Sequence, residues 1–511
     1  MLDVLMFAGL VAGILSGFPV AFSIAGIAIL FALIGAATGD FNISLLGALG
    51  QRIFGILTNP VLIAIPLFVF MGVVLEKSRI AEELLTTMGR LFGRMAGGLG
   101  ISVVLVGALL AASTGIVGAT VVAMGLIALP AMLKAGYAAP LGAGIIATSG
   151  TLGQIIPPST LLIILSDVMS SAYQQAQFAA GRFTVETISV GETFAAALVP
   201  GLVLVGIYIL YLLARALVRP RDLPALADAG GVTAREVVAV ILPPIALILA
   251  VLGSILGGVA TPAEAAAVGA IGAVLMAGAR LGGARLVAAG AVALVALAVL
   301  ASVRPIRLQR TDTDAADLAF AALGGVLLLV GVAALALALV RLLRTGTLRE
   351  VAVNTMTVSA MIFATIIAAS MFSLVFVGLG GEERVEHILE SMPGGPTGAL
   401  LFAMALIFVL GFFLDFVEIS IILLPLVVPV LILMGHDPVW LAVLIAINLQ
   451  TSFLTPPFGF SLFYLRGAAP PEVTTGHIYR GVAPFILLQW LGILCVWLFP
   501  QLATSLPDWL Y

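Results

Sequence analysis

The chain has 511 residues, of which 62% are hydrophobic and only 9% are charged, and its formal net charge is −3. A soluble domain has about a quarter charged residues, so this composition excludes a water-soluble globular protein. The small negative charge excludes the basic surface of a nucleic-acid-binding protein. One cysteine excludes an internal disulfide, and three scattered histidines form no H-E-x-x-H pair. We expect a multi-pass membrane protein that is not an enzyme and has no resident cofactor.

The first predicted unit covers residues 1–59. Residues 4–37 form one apolar run of ~51 Å as a helix, against a hydrocarbon core of roughly 30 Å, which predicts either one long kinked helix or two crossings. Residues 43–57 carry Gln51 and Arg52 among apolar residues. This pattern indicates an arm that lies at the membrane interface.

Further apolar segments predict the membrane helices of the remaining chain. They are 61–75, 98–133, 138–165, 194–213, 237–256, 263–279, 286–303, 318–340, 351–379, 398–434, 439–465 and 482–499. Arginines in the loop 215–235 predict a cytoplasmic position for that loop, and the acidic stretches 167–192 and 382–390 are predicted to be external. The loop 304–310 breaks this rule, because counting crossings places its three arginines outside.

Proline and glycine recur in one pattern at an offset of 299 residues. In each copy an apolar helix is interrupted by polar residues just before a Pro–Pro pair. Interrupted helices at matching positions in two halves are a sequence signature of a transport site. The recurring residues are Pro130, Gly136, Pro157 and Pro158 in the first copy, and Pro429, Gly435, Pro456 and Pro457 in the second.

Two segments are predicted to enter the membrane and leave on the same side. Segment 98–133 lies between Arg94 and Lys134, both predicted to be cytoplasmic, and its small polar residues at 112–115 predict the turn. Segment 398–434 has both ends outside and is expected to turn near 411–415. Such re-entrant backbone is tolerated only where protein or a watered cavity covers it.

The order helix, re-entrant hairpin, broken helix, helix therefore occurs twice, in opposite orientations. The predicted fold class is an all-α polytopic membrane protein, built as an inverted repeat with two re-entrant helical hairpins and two broken helices. Residues 60–214 form the first repeat, with hairpin 98–133 and broken helix 138–165. Residues 351–511 form the second, with hairpin 398–434 and broken helix 439–465. Linking helices occupy 215–350 and include an inserted pair at 286–340.

The interruptions supply the candidate sodium- and substrate-binding residues. In the first repeat these are Ser113, Thr114, Gly115, Thr148, Ser149, Gly150, Thr151, Gly153 and Pro157. In the second they are Gly411, Asp415, Glu418, Asn448, Gln450, Thr451, Thr455 and Pro456. A half-helix C-terminus suits a cation and a half-helix N-terminus suits a carboxylate.

Each candidate also has a purely structural interpretation. Serine and threonine hydroxyls in membrane helices commonly bond back to a preceding carbonyl. Asp415 is equally well explained as a helix cap or as a functional intramembrane carboxylate. Glu264, three residues after Thr261, has the spacing of a structural capping box.

Several longer strings resemble one transporter family, the large membrane (permease) subunit of tripartite ATP-independent periplasmic (TRAP) transporters. The strings are Ile65-Pro66-Leu67-Phe68, Pro130-Ala131-Met132, Gly150-Thr151-Leu152-Gly153-Gln154-Ile155-Ile156-Pro157-Pro158-Ser159, Thr261-Pro262-Ala263-Glu264-Ala265-Ala266-Ala267 and Leu454-Thr455-Pro456-Pro457-Phe458-Gly459. The resemblance covers nearly the whole chain. The chain departs from the family pattern in a longer external loop at 170–193 and in an added helical pair at 285–344.

The resemblance implies sodium-coupled secondary active uptake of a small organic acid (carboxylate) across the bacterial inner membrane. It also implies an extracytoplasmic substrate-binding protein and a small membrane subunit as partners, with sodium as the coupling ion. The alternative is a one-component sodium- or proton-coupled anion transporter of the same hairpin-containing class. A passive channel is a weaker alternative, because channels rarely need an inverted repeat. An intramembrane enzyme is also weaker, since the sequence has no His/Cys cluster, no paired catalytic Asp and no Gly-rich phosphate loop.

Because exposed re-entrant backbone is costly in lipid, we expect elevator-type motion. The hairpins and broken helices would move as one body against a scaffold made of segments 61–75, 194–213, 237–279 and 351–379.

Overall fold

The computed structural model describes residues 1–114, 117–182, 185–226, 231–282, 284–303 and 315–511. Throughout these residues the regular elements are helices, and no strand occurs among them. In chain order the α-helices are α1 Leu2–Leu15, α2 Val20–Thr38, α3 Leu49–Thr58, α4 Ala64–Lys77, α5 Ile80–Phe92, α6 Gly98–Thr114, α7 Val117–Lys134, α8 Ala139–Thr151, α9 Thr160–Ala179, α10 Val190–Val218, α11 Ala234–Leu256, α12 Pro262–Arg280, α13 Ala284–Val303, α14 Ala315–Arg344, α15 Thr347–Gly378, α16 Gly381–Glu390, α17 Gly395–Leu410, α18 Phe416–Glu418, α19 Leu424–Leu433, α20 Pro438–Leu454, α21 Phe460–Ala468, α22 Thr475–Leu498 and α23 Gln501–Leu510.

Short non-α segments connect some of these helices. The stretches Ile43–Ala48, Leu152–Gln154 and Pro220–Asp222 are 3₁₀-helical, and Ile419–Leu423 is a π-helical segment between α18 and α19. Within the described residues, ten helices are long and apolar enough to cross a membrane. The all-α membrane architecture expected from composition is therefore confirmed.

The N-terminal apolar run is two helices rather than one. Helix α1 ends before Gly17, whose φ of 82° is left-handed, and Pro19 precedes the start of α2. The two helices pack against each other. Glycine reaches a left-handed φ without steric cost and proline starts a helix readily, which explains the break.

The sequence predicts unusual loops at 170–193 and 304–310. The expected long external loop at 170–193 is wrong in its first part, because α9 continues as a helix to Ala179 and carries polar residues there. Its polar turns, including Gln174 and Gln175, hide the helix from a hydropathy reading. The loop 304–310, whose arginines broke the charge rule, lies outside the described residues.

Helices α5 and α16 follow α4 and α15 in the same order, and each is tied by ion pairs to helices outside the predicted hairpins. On α5, Glu83 pairs with Arg280 of α12, and Arg90 pairs with Glu236 of α11 at 2.7 Å. On α16, Arg384 pairs with the buried Asp3 of α1. Surface ion pairs contribute little stability. Their value here is positional, since α5 lies against α6 and α16 lies against α17 and α19.

The helices α13 and α14 pack on each other and on α12 through small residues. Gly290 lies against Ala334, and Gly278 lies against Ala338. Small residues permit this close approach in membrane helix pairs. Most other side chains of α13 and α14 are apolar and exposed, as expected for helices that face lipid.

The two halves pack reciprocally. Helix α7 contacts α21 while α19, the counterpart of α7, contacts α9. Helix α8 contacts α22 while its counterpart α20 contacts α10, and α8 and α20 also contact each other. Reciprocal contacts of this kind are what an approximate two-fold axis produces. The repeat seen in the sequence therefore has a geometric counterpart in the fold.

Candidate functional site

Each broken helix is closed by a serine hydroxyl that donates to a carbonyl across the break. After the first Pro–Pro pair, Ser159 Oγ donates to the carbonyl of Gln154 at 2.8 Å. After the second pair, Ser461 Oγ donates to the carbonyl of Phe453, also at 2.8 Å. Both serines are buried. The two acceptors are equivalent in the repeat whereas the two serines are not, and one carbonyl in each break is occupied by a hydroxyl rather than open to an ion.

Several predicted site hydroxyls bond back along their own helix. Thr151 Oγ1 donates to the Thr148 carbonyl at 2.8 Å. In the second half, Thr451 and Thr455 donate to carbonyls four residues earlier, each at 2.7 Å. The structural interpretation applies to these hydroxyl protons. Each oxygen keeps a lone pair that can still accept a hydrogen bond or ligate a cation.

Other buried oxygens of the broken helix α8 and of the second predicted hairpin have no hydrogen-bond partner in the structure. They are Thr148 Oγ1 and Ser149 Oγ on α8, Glu418 Oε2 on α18, and Ser420 Oγ in the π-helical segment. Each of these residues is at most 4% exposed. Leaving a buried polar group unpaired costs free energy, so these atoms mark the place where a ligand would be stabilised.

The second predicted hairpin contains the two intramembrane carboxylates at its break. Asp415 Oδ1 accepts from the backbone N–H of Phe416 at 2.7 Å, so Asp415 is the N-cap of α18. Glu418 is buried and is followed by the π-helical segment, a feature often found at functional sites. Tyr464 of α21 lies against Gly118 of α7 and within electrostatic range of both carboxylates.

Glycines allow the predicted hairpins to approach the broken helices closely. A Cβ at Gly107 of α6 would lie 2.7 Å from Ser149 Cβ. A Cβ at Gly411 would lie 2.1 Å from Ser452 Oγ of α20. The first helix of each predicted hairpin therefore lies beside the broken helix of the same half, near the middle of α6 in one half and at the end of α17 in the other.

The two breaks also meet each other. Gln450 Nε2 donates to Thr151 Oγ1 at 3.3 Å, and these two residues are separated by 299 positions. They are therefore equivalent positions in the repeat, and a residue that contacts its own equivalent lies on the two-fold axis. Gln450 Oε1 is buried and has no hydrogen-bond partner. The same is true of both side-chain amide atoms of Gln154, which follows Thr151 by three residues.

The remaining predicted residues take structural places around this centre. Asn448 Nδ2 donates to the carbonyl of Met404 at 2.7 Å, which ties α20 to α17. Gly150 faces Val121 of α7 too closely for a Cβ. Gly153 lies in the 3₁₀ segment, and Pro157 and Pro456 begin the two Pro–Pro pairs. Gly115 and the side chains of Ser113 and Thr114 lie outside the described residues.

Sequence reasoning missed Gln154, Ser420 and Tyr464. Gln154 had a usable signal, since a glutamine stands between the interruption and the Pro–Pro pair. Ser420 and Tyr464 gave none, because they lie in unbroken apolar runs and reach the site only through tertiary packing. Glu264, by contrast, forms the capping box that its spacing predicts, with Thr261.

The arrangement offers oxygen ligands without a transition-metal site. Within the described residues, no group of three or more His, Cys, Asp or Glu side chains could hold a metal ion. Hydroxyl, carbonyl and carboxylate oxygens are the ligands that hard cations prefer.

Comparison with known proteins gives a consistent result. Residues 7–306 and 311–502 match the family model described as "Tripartite ATP-independent periplasmic transporter, DctM component". The C4-dicarboxylate TRAP transporter large permease protein DctM of Pseudomonas aeruginosa is 26% identical over 468 residues, which cover 91% of this chain and 90% of the relative. The ectoine TRAP transporter large permease protein TeaC of Halomonas elongata is 25% identical over 508 residues, covering 99% and 98%.

A solved structure supports the fold alone. The Alcanivorax borkumensis YdaH transporter superposes with a TM-score of 0.55 at 17% identity, covering 90% of this chain and 89% of that one. With the family model matched over almost the whole length, the chain belongs to the DctM-component family of TRAP transporters, as a multi-pass inner-membrane permease subunit and not an enzyme.

Proposed function

We propose that the chain couples sodium entry to uptake of a small organic acid across the bacterial inner membrane. In this proposal an extracytoplasmic binding protein delivers the substrate and a small membrane subunit lies alongside. Family membership supports the tripartite organisation. Two relatives are named for C4-dicarboxylates and for ectoine, and both kinds of molecule carry a carboxylate.

The observation that carries the proposal is the meeting of two equivalent breaks at Thr151 and Gln450. Buried oxygens without protein partners occur in the same helix, at Thr148 and Ser149 of α8, and in the second predicted hairpin, at Glu418 and Ser420. Thr148 and Ser149, with residues 113–115, would hold one sodium ion. Asp415, Glu418 and Ser420, with residues 448–456, would hold a second at the equivalent place.

The same geometry supports two re-entrant hairpins that move with their broken helices. We redraw the moving body to include α10 and α22, because α10 packs on α6, α20 and α22, and α22 packs closely on α8. Segment 194–213, which the sequence placed in the scaffold, thereby changes sides. The fixed body keeps α4, α11, α12 and α15 from the predicted scaffold. We add α1 to it, together with α5 and α16, which ion pairs hold to α11, α12 and α1.

Reconstitution tests the coupling ion. The chain is purified with the proposed small membrane subunit and binding protein from the same organism, and radiolabelled succinate and ectoine serve as probes in proteoliposomes. We expect uptake only with an inward sodium gradient, rising with sodium at a Hill coefficient above one. Equal uptake after potassium replaces sodium would contradict the proposal.

The same vesicles separate the alternative function. A one-component anion transporter would take up free substrate without the binding protein. A proton-coupled transporter would respond to an inward pH gradient in the absence of sodium. The tripartite proposal expects neither result.

A further inference from the structure

A polar cavity lies away from the contact between Thr151 and Gln450. Its volume is about 290 Å³, and it is lined by the arm helix α3, by α9, by α15 and by the π-helical segment. We name it the outer cavity. Its polar lining residues are Arg52, Asn59, Asp167 and Ser370.

Hydrogen bonds hold two polar side chains of the outer cavity, Asn59 and Asp167, in position. Asn59 Oδ1 accepts from the backbone N–H of Val61 at 2.9 Å, so its Nδ2 points the other way. That Nδ2 donates to Asp167 Oδ1, also at 2.9 Å. Among the described residues no other side chain donates to the carboxylate of Asp167, and Arg52 has no ion-pair partner. One guanidinium and one carboxylate therefore line the same cavity without pairing with each other.

This combination specifies a ligand by its chemistry. A guanidinium binds a carboxylate through two parallel hydrogen bonds. A carboxylate with a free oxygen accepts from a hydroxyl or an ammonium group. A ligand that pairs with both Arg52 and Asp167 has a carboxylate at one end and a hydrogen-bond donor at the other.

We propose that the outer cavity binds a small carboxylic acid that also carries a hydroxyl or ammonium group, with its carboxylate on Arg52 and its donor on Asp167. This inference rests on the proposed uptake function. It implies that the substrate binds in the outer cavity before it reaches the proposed site at Thr151 and Gln450. Ile421 lines the cavity and is adjacent in sequence to Ser420, so the π-helical segment contributes to both places. Asp167 begins the stretch that the charge pattern predicts to be external.

Charged thiol reagents test the cavity without requiring transport. In a Cys495→Ser background, Gly55→Cys places a reporter on the cavity wall, where a Cβ meets open space. Right-side-out vesicles are labelled with an anionic sulfonatoethyl or a cationic trimethylammonium-ethyl methanethiosulfonate. Ser370→Cys is the second reporter if the first fails to fold.

The ratio of anionic to cationic labelling rates is the readout. Arg52→Gln should lower this ratio about fivefold, and Asp167→Asn should raise it by a similar factor, as expected for one unit charge a few ångströms away. Arg182→Gln, an exposed arginine on the same predicted face, is the control and should leave the ratio unchanged. If neither cavity substitution changes the ratio of labelling rates, the proposal is overturned.

Protection by free ligands tests the substrate class. Malate and ectoine should slow labelling of Gly55→Cys more than succinate, and Arg52→Gln should abolish this protection. Equal protection by succinate would overturn the role of Asp167, and no protection by any of the three would overturn the binding site. Since labelling needs neither a sodium gradient nor a binding protein, its outcome is independent of the uptake test.

Discussion

Hydroxyl groups at the two breaks divide into two kinds by what they contact. Ser159 and Ser461 close the breaks by donating to a carbonyl across each interruption. Thr148 and Ser149 are as deeply buried, yet their hydroxyl oxygens have no partner. The first kind stabilises the fold, whereas the second costs stability unless a ligand uses it.

Substitution should separate these two roles. Ser149→Ala should raise the sodium concentration for half-maximal uptake about tenfold, equivalent to ~1.4 kcal/mol of binding. It should leave thermal stability in detergent unchanged or slightly higher, because the lost hydroxyl had no partner. Ser159→Ala should instead lower the free energy of unfolding by about 1–3 kcal/mol, since it leaves the Gln154 carbonyl unpaired. Sodium titration of uptake and thermal melts of both variants provide the measurements.

The opposite pattern of results would show that the proposed roles of these two hydroxyls are wrong. If Ser149→Ala lost stability and kept its sodium dependence, its hydroxyl would be a structural group with an unrecognised partner. Ser505→Ala, an exposed hydroxyl that bonds back within α23 at 2.6 Å, is the control and should change neither quantity.

Residue chemistry explains how much of the site the sequence could predict. The interruption itself was predictable, because polar residues and Pro–Pro pairs are rare in apolar helices. The cap by Asp415 was predictable as one of two alternatives, since its bond is local. The partners of Ser159 and Ser461 were not, because the path of the chain after each Pro–Pro pair decides them.

At the scale of elements, the contact between α8 and α22 sets the shape of the moving body. The glycines Gly144 and Gly481 lie backbone to backbone, and a Cβ at Gly481 would stand 1.8 Å from the carbonyl oxygen of Pro140. The helices can approach this closely only because both residues lack a side chain. Neither glycine belongs to the 299-residue pattern, so sequence alone gave no reason to single out the pair.

Gly481→Ala should therefore push α22 away from α8. We expect the free energy of unfolding to fall by about 1–3 kcal/mol, the usual cost of overpacking, in a thermal or denaturant melt in detergent. Gly476→Ala in the first turn of the same helix is the matched control, because its Cβ would meet nothing closer than 3.7 Å. That control should be neutral or slightly stabilising. Equal free energies of unfolding for Gly481→Ala and Gly476→Ala would show that α22 can move away from α8 without loss of stability.

Helix boundaries show why hydropathy predicts some elements and misses others. The apolar membrane helices were predicted near their observed positions, because a long apolar run needs no tertiary information. The polar end of α9 and the amphipathic α5 were missed, because their polar faces interrupt the run. The polar end of α9 makes side-chain hydrogen bonds to Glu382 and Glu186, and α5 packs on α6 and makes ion pairs to α11 and α12. A hydropathy pattern contains none of these contacts.

At the scale of the whole molecule, an approximate two-fold axis relates the two repeats and passes through the contact between Thr151 and Gln450. The 299-residue offset predicted the duplication but not that equivalent residues touch, because an offset carries no information on distance. The hydrogen bond between Gln450 and Thr151 joins the two halves at the proposed site. It should therefore be detectable as an energetic coupling between the halves.

A double-mutant cycle measures that coupling. Thr151→Val and Gln450→Leu remove the two partners while keeping similar volume. The double variant should be more stable than the sum of the single effects predicts, by about 0.6 kcal/mol, a typical coupling for polar pairs in membrane helices. Unfolding in detergent supplies the four free energies. Strict additivity would mean that the 3.3 Å contact contributes nothing to stability.

The proposed motion requires the hydrogen bonds between α9 and α16 to break in each transport cycle. Gln175 of α9, in the moving body, donates to Glu382 of α16, in the fixed body, at 2.7 Å. Replacing both residues by cysteine in a Cys495→Ser background and joining them with a short bifunctional thiol reagent should abolish uptake in proteoliposomes, and cleavage of the linker should restore it. Arg90→Cys with Glu236→Cys is the matched control, because that pair is equally close at 2.7 Å and lies wholly within the fixed body. Since a cross-link inside one rigid body opposes no relative movement, the control should keep its uptake. Full uptake with Gln175→Cys and Glu382→Cys joined would show that α9 does not move against α16, and the two-body division would then have to be abandoned.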